Sequence, residues 1–191
     1  AVCEETELSG ERSEAGCRKL YAIRITAGIF LVVGILILGY HPAGSLKVIC
    51  LDVGQGDGIL VETPEDHHFL IDGGSSSQSD LGRYCLLPAL KSQGISWLDG
   101  IFISHTDQDH INGVKELLEY MEKGLTTIRA GYLILPAWVE RPDAWRELAE
   151  AAKTAGVKVV TAEKGDELPC GRVSFSVLWP EKNAAGKDVN E

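Results

Sequence analysis

Gly100-Ile-Phe-Ile103 runs directly into Ser104-His-Thr-Asp-Gln-Asp-His110, an apolar segment followed by four candidate metal ligands within six positions. The apolar part reads as a buried strand. A strand ending in a turn can hold His105 and Asp107 on one side and Asp109 and His110 on the other, near enough to serve two cations a few ångströms apart. Gly113 and the spacing of Val114, Leu117, Leu118 and Met121 announce a helix at once. The ligands therefore fall on a strand-to-helix junction, where a short loop fixes geometry. Asp109 alone could be a helix cap accepting first-turn amides. A cap needs one carboxylate, however, and leaves unexplained two of the five histidines in the chain.

Working back from this stretch, Leu46–Asp52, Ile59–Thr63 and His68–Asp72 read as three strands separated by turns, an antiparallel meander. The first turn, Val53-Gly-Gln-Gly-Asp-Gly58, has two readings. Its glycines can simply make a tight hairpin, or Gly54, Gln55 and Gly56 can bring backbone amides to a phosphate beside the carboxylate of Asp57. Asp72 ends a buried strand in Leu70-Ile-Asp-Gly-Gly74. An unpaired charge there would be costly, so Asp72 is either a turn acceptor or the group that orients a metal ligand from behind. His67 and His68 read as solvated turn residues.

Working forward, the pattern predicts a helix over about Leu81–Gln93, which Pro88 would bend, and the decisive strand at Leu98–Ser104. It then predicts a helix near Val114–Lys123, a strand at Gly131–Leu135, a helix at Asp143–Ala155, and strands at Val157–Val160 and Val173–Leu178. Strands outnumber helices, and the helices cover the sheet. That is a layered α/β sandwich.

The N-terminal quarter is different in kind. Leu20 to Tyr40 is almost wholly apolar, with Arg24 near its start, where a long side chain can snorkel to an interface. A core helix would show a polar face, and a signal peptide would follow a short basic leader, whereas this leader holds Glu4, Glu5, Glu7, Glu11 and Glu14. The segment is expected to be a transmembrane helix over 20–40. Arg12, Arg18, Lys19 and Arg24 lie at its N-terminal end, against only Lys47 beyond the other. The charge bias predicts residues 1–19 in the cytoplasm and 41–191 on the extracytoplasmic side of the cell membrane. A chain that starts at Ala1 and whose one methionine is Met121 is expected to be a piece of a longer protein.

Composition excludes some classes. The formal net charge of −10 leaves no basic footprint for nucleic acid in this piece. Five cysteines without CxxC spacing indicate neither a zinc knuckle nor a disulfide framework, and Cys50 and Cys85 are expected to be buried small hydrophobes.

Leu51-Asp-Val-Gly-Gln-Gly-Asp57, Leu70-Ile-Asp-Gly-Gly74, Ile103-Ser-His-Thr-Asp-Gln-Asp-His110 and Val177-Leu-Trp-Pro180, in this order and spacing, resemble the metallo-β-lactamase-like domain of the ComEC family of competence proteins, membrane proteins implicated in taking up DNA as a single strand. The resemblance runs from about Leu46 to Glu191, with Asp188-Val-Asn-Glu191 similar to the start of an Asn-rich segment. It implies the first half of an αββα sandwich, incomplete at the C-terminus. It also implies two divalent ions, Mn²⁺ or Zn²⁺, held by His105 and Asp107 and by Asp109 and His110. Asp72 is implied as the motif aspartate, and Asp57 as a carboxylate of the loop beside the active site. Asp109 and Asp57 are the implied catalytic carboxylates. The superfamily pattern His-x-His-x-Asp-His has Asp107 in place of its second His, which makes the site harder and favours Mn²⁺. The implied function is hydrolysis of phosphodiester bonds in incoming single-stranded or duplex DNA, with other competence proteins as partners. The fragment alone, lacking the later aspartate and histidines of the fold, is expected to be inactive. Two alternatives are a cell-surface hydrolase of small esters or phosphodiesters, and a non-catalytic part of a DNA translocation channel.

Overall fold

The computed structural model describes residues 23–37, 44–137 and 142–181. The chain divides into two units, Ala1–Pro42 and Ala43–Glu191. In the first, residues 23–37 form a helix, α1. Ile29, Phe30, Leu31, Val32 and Val33 are all exposed, so apolar side chains cover every face of it. Among the described residues no helix is long and apolar enough to cross a membrane. Residues 1–19, the two ends of the expected 20–40 span, and Asp188–Glu191 lie outside the described residues.

The second unit is built on a six-stranded sheet in sequential order: β1 (Lys47–Cys50), β2 (Ile59–Glu62), β3 (His68–Ile71), β4 (Trp97–Phe102), β5 (Arg129–Pro136) and β6 (Lys158–Ala162). The first three strands form the antiparallel meander expected from their turns. From β3 onward the pairing is parallel, because each crossover carries a helix. These helices are α2 (Leu87–Ser92), α3 (Gln108–Glu122) and α4 (Pro142–Thr154). Ile111, Val114, Leu117, Leu118 and Met121 of α3 meet Leu70, Leu98, Ile101, Leu133 and Leu135 of the sheet in one core with Leu148 and Ala152 of α4. The i, i+3, i+4 spacing of α3 thus buries one stripe, as amphipathic helices do.

Three details depart from the expectations. The helix expected over about Leu81–Gln93 runs unbroken over residues 81–92, but its stretch Gly82–Leu86 is π-helical before α2 begins. Leu87 N donates to Gly82 O five residues back, and Pro88 then stands in the first turn of α2, where its missing N–H costs nothing. A strand, β7 (Glu167–Cys170), precedes β8 (Val173–Ser176), and the two form a separate hairpin. Cys50 is exposed and Cys85 only half-buried, because β1 is an edge strand and Cys85 turns its thiol toward the Asp52 carbonyl.

The other face of the sheet is covered in part by this hairpin. Phe69, Phe102 and Phe175 pack ring against ring there, joining the hairpin to β3 and β4. A cavity of about 510 Å³ lies beside them, lined by Trp97, Tyr132, Ile134 and Cys170 among others. Asp99 borders this cavity, and a methyl group at Gly100 would meet Phe69 and Ile134 on the same side, while Leu98 and Ile101 join the helical core. Side-chain alternation therefore slips by one residue in β4, and β5 follows it at Gly131 and Tyr132.

Candidate metal centre

Three loops meet at the C-terminal ends of the strands, where ligand crevices form in parallel sheets. They are residues 51–58 after β1, 72–80 after β3 and 103–107 after β4. Backbone hydrogen bonds join the first two loops to each other and to the first turn of α3. Asp57 N donates to Asp109 O (3.3 Å), Gly74 N to Asp57 O (3.1 Å), Gly73 N to His110 O (3.0 Å) and Ser76 N to Gln55 O (2.7 Å). A methyl group at Gly74 would overlap the Asp109 carbonyl carbon and the His110 nitrogen, and one at Gly56 would overlap the Gly74 and Asp109 carbonyls. These glycines let the loops stack. Gln55 N donates to Ser77 Oγ (2.9 Å), so the loop's polar groups are engaged by the neighbouring loop. Gly54 (φ 77°) has the positive backbone angle of the tight-turn reading, and Gly56 is packed closely against the Gly74 and Asp109 carbonyls.

Asp72 is the hub of the cluster. It is 4% exposed and adopts a left-handed backbone (φ 54°) that an L-residue keeps only when its surroundings hold it there. Its N–H donates to Phe102 O at 2.8 Å. Its carboxylate accepts from Ser104 N (2.8 Å), from Ser104 Oγ (2.6 Å) and, through Nδ1, from His110 (3.0 Å). His105 Nδ1 lies 3.0 Å from the same Ser104 hydroxyl. The two imidazoles lie with ring centroids 3.8 Å apart, their planes tilted by 49°. His105 Nε2 is 3.9 Å from Asp107 Oδ2, and His110 Nδ1 is 3.7 Å from Asp57 Oδ2. The hydrogen bond to Asp72 holds the pKa of His110 above its ordinary value; burial opposes this, and the charges of Asp72, Asp109 and Asp57 add to it.

Asp107 occupies the N-cap position of α3 but makes no side-chain cap hydrogen bond, and Asp109 stands in the helix's first turn. The helix starts at Gln108 rather than near Val114, so the cluster overlaps its first turn. Two residues not singled out in the sequence complete the frame. Ser104 binds Asp72 as described, and Asn112 clasps the backbone of Ser75, accepting from its N–H (2.9 Å) and donating to its carbonyl (2.7 Å). Their only sequence signal is position: one opens the motif and the other follows it.

The donor chemistry suits a divalent cation. Each imidazole is tethered through Nδ1 to an oxygen, the arrangement that leaves Nε2 for a metal, and the carboxylates around them make the site anionic. The count falls short. Among the described residues no three His, Cys, Asp or Glu side chains are grouped so that they could hold a metal ion. The four predicted ligands form close pairs but not a closed shell.

The model of the metallo-beta-lactamase superfamily matches residues 51–183. The chain belongs to that superfamily. Its resemblance to competence proteins also holds over most of its length. It is 32% identical to ComE operon protein 3 of Bacillus subtilis over 178 residues, 86% of this chain but 22% of that protein. It is 35% identical to Competence protein ComA of Neisseria gonorrhoeae over 72 residues, 38% of this chain and 10% of the other. The chain thus spans about a fifth and a tenth of these relatives. Among solved structures it is similar to a diphosphatase from the PhnP family (18% identity, 63% of this chain and 42% of that one, TM-score 0.39). It is also similar to a metallo-beta-lactamase-type protein from Thermotoga maritima (16% identity, 65% and 61%, TM-score 0.40). Members of that superfamily usually bind divalent metals.

Proposed function

We propose that this chain is part of a membrane DNA-uptake protein whose metallo-beta-lactamase domain hydrolyses phosphodiester bonds of incoming DNA. The observation that carries this reading is the tethering of His105 and His110 through Nδ1 among Asp57, Asp72, Asp107 and Asp109, in a chain similar to two competence proteins. His105, Asp107, Asp109 and His110 hold the cations, together with donors from elsewhere in the full-length protein. Asp107 in place of a histidine favours Mn²⁺ over Zn²⁺. Cations bound there would supply a nucleophilic water near neutral pH and neutralise a phosphodiester. Asp72 orients His110, and Asp57 places an exposed carboxylate 3.7 Å from the same His110 nitrogen. The apolar residues around α1 support a membrane span over 20–40, since a helix apolar on every side needs apolar surroundings. Residues 1–19 then lie in the cytoplasm and 41–191 outside.

Assay of the full-length protein with Mn²⁺ against single-stranded DNA, duplex DNA and small phosphodiesters tests this reading. DNA cleavage is expected. His105→Ala and Asp109→Ala should each lower it by more than the roughly hundredfold that loss of an outer partner of a metal ligand can cost. Cleavage of small phosphodiesters alone would reject DNA as the substrate and favour a cell-surface hydrolase. Full activity in Asp109→Ala would remove Asp109 from the site.

A further inference from the structure

The Ser104 hydroxyl has one proton and three neighbours, of which His110 Nδ1, at 3.4 Å, is the farthest. Asp72 Oδ2 lies 2.6 Å away and His105 Nδ1 lies 3.0 Å away. The shorter contact is to the carboxylate, which accepts but cannot donate, and charge-assisted bonds of this kind are the stronger ones. The hydroxyl proton therefore goes to Asp72. Toward His105 the oxygen then presents only lone pairs, so the contact is a hydrogen bond only if His105 carries its proton on Nδ1. His110 meets the same Asp72 oxygen through Nδ1 at 3.0 Å and must also be protonated there.

We propose that Ser104 is a positioning residue that fixes the tautomer of His105, relaying the charge of Asp72 so that both histidines of the cluster present an unprotonated Nε2. The chain of bonds runs from His105 Nδ1–H to Ser104 Oγ, from Ser104 Oγ–H to Asp72 Oδ2, and back to Asp72 from His110 Nδ1–H. Asp72 touches only one of the two imidazoles, and the hydroxyl extends its reach to the other. A neutral imidazole ligates through the nitrogen that lacks a proton, and the tautomer is set by the bond its other nitrogen makes. One carboxylate and one hydroxyl thus prepare two ligands. The relevance to metal binding rests on the functional reading above, but the tautomers themselves can be read without metal.

The test is nitrogen NMR of the full, metal-free chain, labelled at histidine and recorded at alkaline pH, where imidazoles are neutral. In the wild type, His105 and His110 should both show a protonated Nδ1 and an unprotonated Nε2. Ser104→Ala should move the His105 tautomer ratio toward Nε2–H by about fivefold or more, the equivalent of one ordinary hydrogen bond, and leave His110 unchanged. Ser104→Thr, which keeps the hydroxyl, should restore the wild-type pattern. A wild-type His105 protonated on Nε2 overturns the proposal whether or not any variant folds. An unchanged His105 in Ser104→Ala overturns it as well. Failure of DNA cleavage in the full-length protein would reject the functional reading while leaving the tautomer result intact.

Discussion

The molecule holds two pairs of histidines at opposite ends of the same two strands, and each pair has its aspartate. At the C-terminal end, Asp72 accepts from Ser104 N at 2.8 Å and lies 3.0 Å from His110 Nδ1. At the N-terminal end, Asp99 accepts from His68 N at 2.9 Å and lies 3.0 Å from His67 Nδ1. Pair by pair they look alike. They differ in convergence. His105 and His110 lie with ring centroids 3.8 Å apart inside a frame of interlocked loops, whereas His68 turns away from Asp99, with Nε2 3.6 Å from Asp66. A histidine on an aspartate is an ordinary structural bond. What sets the candidate centre apart is that its bonds share one aspartate and one hydroxyl and bring two imidazoles close together.

The comparison can be broken most severely at Gly74. Gly74→Ala would drive a methyl group into the Asp109–His110 backbone, where no flexible side chain can yield. Loss of about 3 kcal/mol or more is expected from this overpacking, read as a shift in the urea midpoint. A loss under 1 kcal/mol would mean that the loops are not locked. Next comes the contrast between the two aspartates. Asp72→Ala strips a buried carboxylate from two backbone or hydroxyl donors and an imidazole, and should cost about 2–3 kcal/mol. Asp99→Ala, at a half-exposed position, should cost about 1 kcal/mol. Equal losses would show that the two ends are equivalent after all.

The smallest effect sharpens the comparison at the N-terminal end. Arg172 donates to Glu65 through its backbone N (2.8 Å) and Nε (2.9 Å), fastening the β7–β8 hairpin to the turn between β2 and β3. The side-chain bond to Arg172 holds the Glu65 pKa below its ordinary value of 4.5. A lowered carboxylate value means that the stabilisation is complete above 4.5 and is lost as pH falls through the folded value. Amide exchange across Val173–Ser176 should lose protection below pH 4.5 in the wild type. Glu65→Gln should be less protected at neutral pH and show no such step. A step that persists in Glu65→Gln would assign it to another group.

Much of this architecture could be read from residue order. Apolar runs separated by one Gly-rich turn and one turn opened by Pro64 located β1 to β3, and the spacing of Val114 to Met121 located the buried stripe of α3. β7 escaped because Glu167-Leu-Pro-Cys170 holds a proline and lies in a two-stranded ribbon, where an edge tolerates it. The π-turn escaped because Pro88 suggested a bend rather than a change of helical register. At the candidate centre, His105 to His110 stood out because they are adjacent in sequence. Ser104 and Asn112 did not, since they bind Asp72 and Ser75, 32 and 37 residues away. A pattern shows which donors exist, while a fold decides which of them are turned toward one another.

The clasp between Glu65 and Arg172 joins residues 107 apart in sequence. Chain entropy delays such a contact until the sheet between them exists. Until the hairpin docks, Phe69 and Phe102 are without Phe175, and the face they share is exposed apolar surface on a half-assembled domain. Such surface sticks to other copies. The hairpin therefore serves the sheet as a cover and not as a further strand, and Glu65 and Arg172 are the latch that holds it over Phe69 and Phe102.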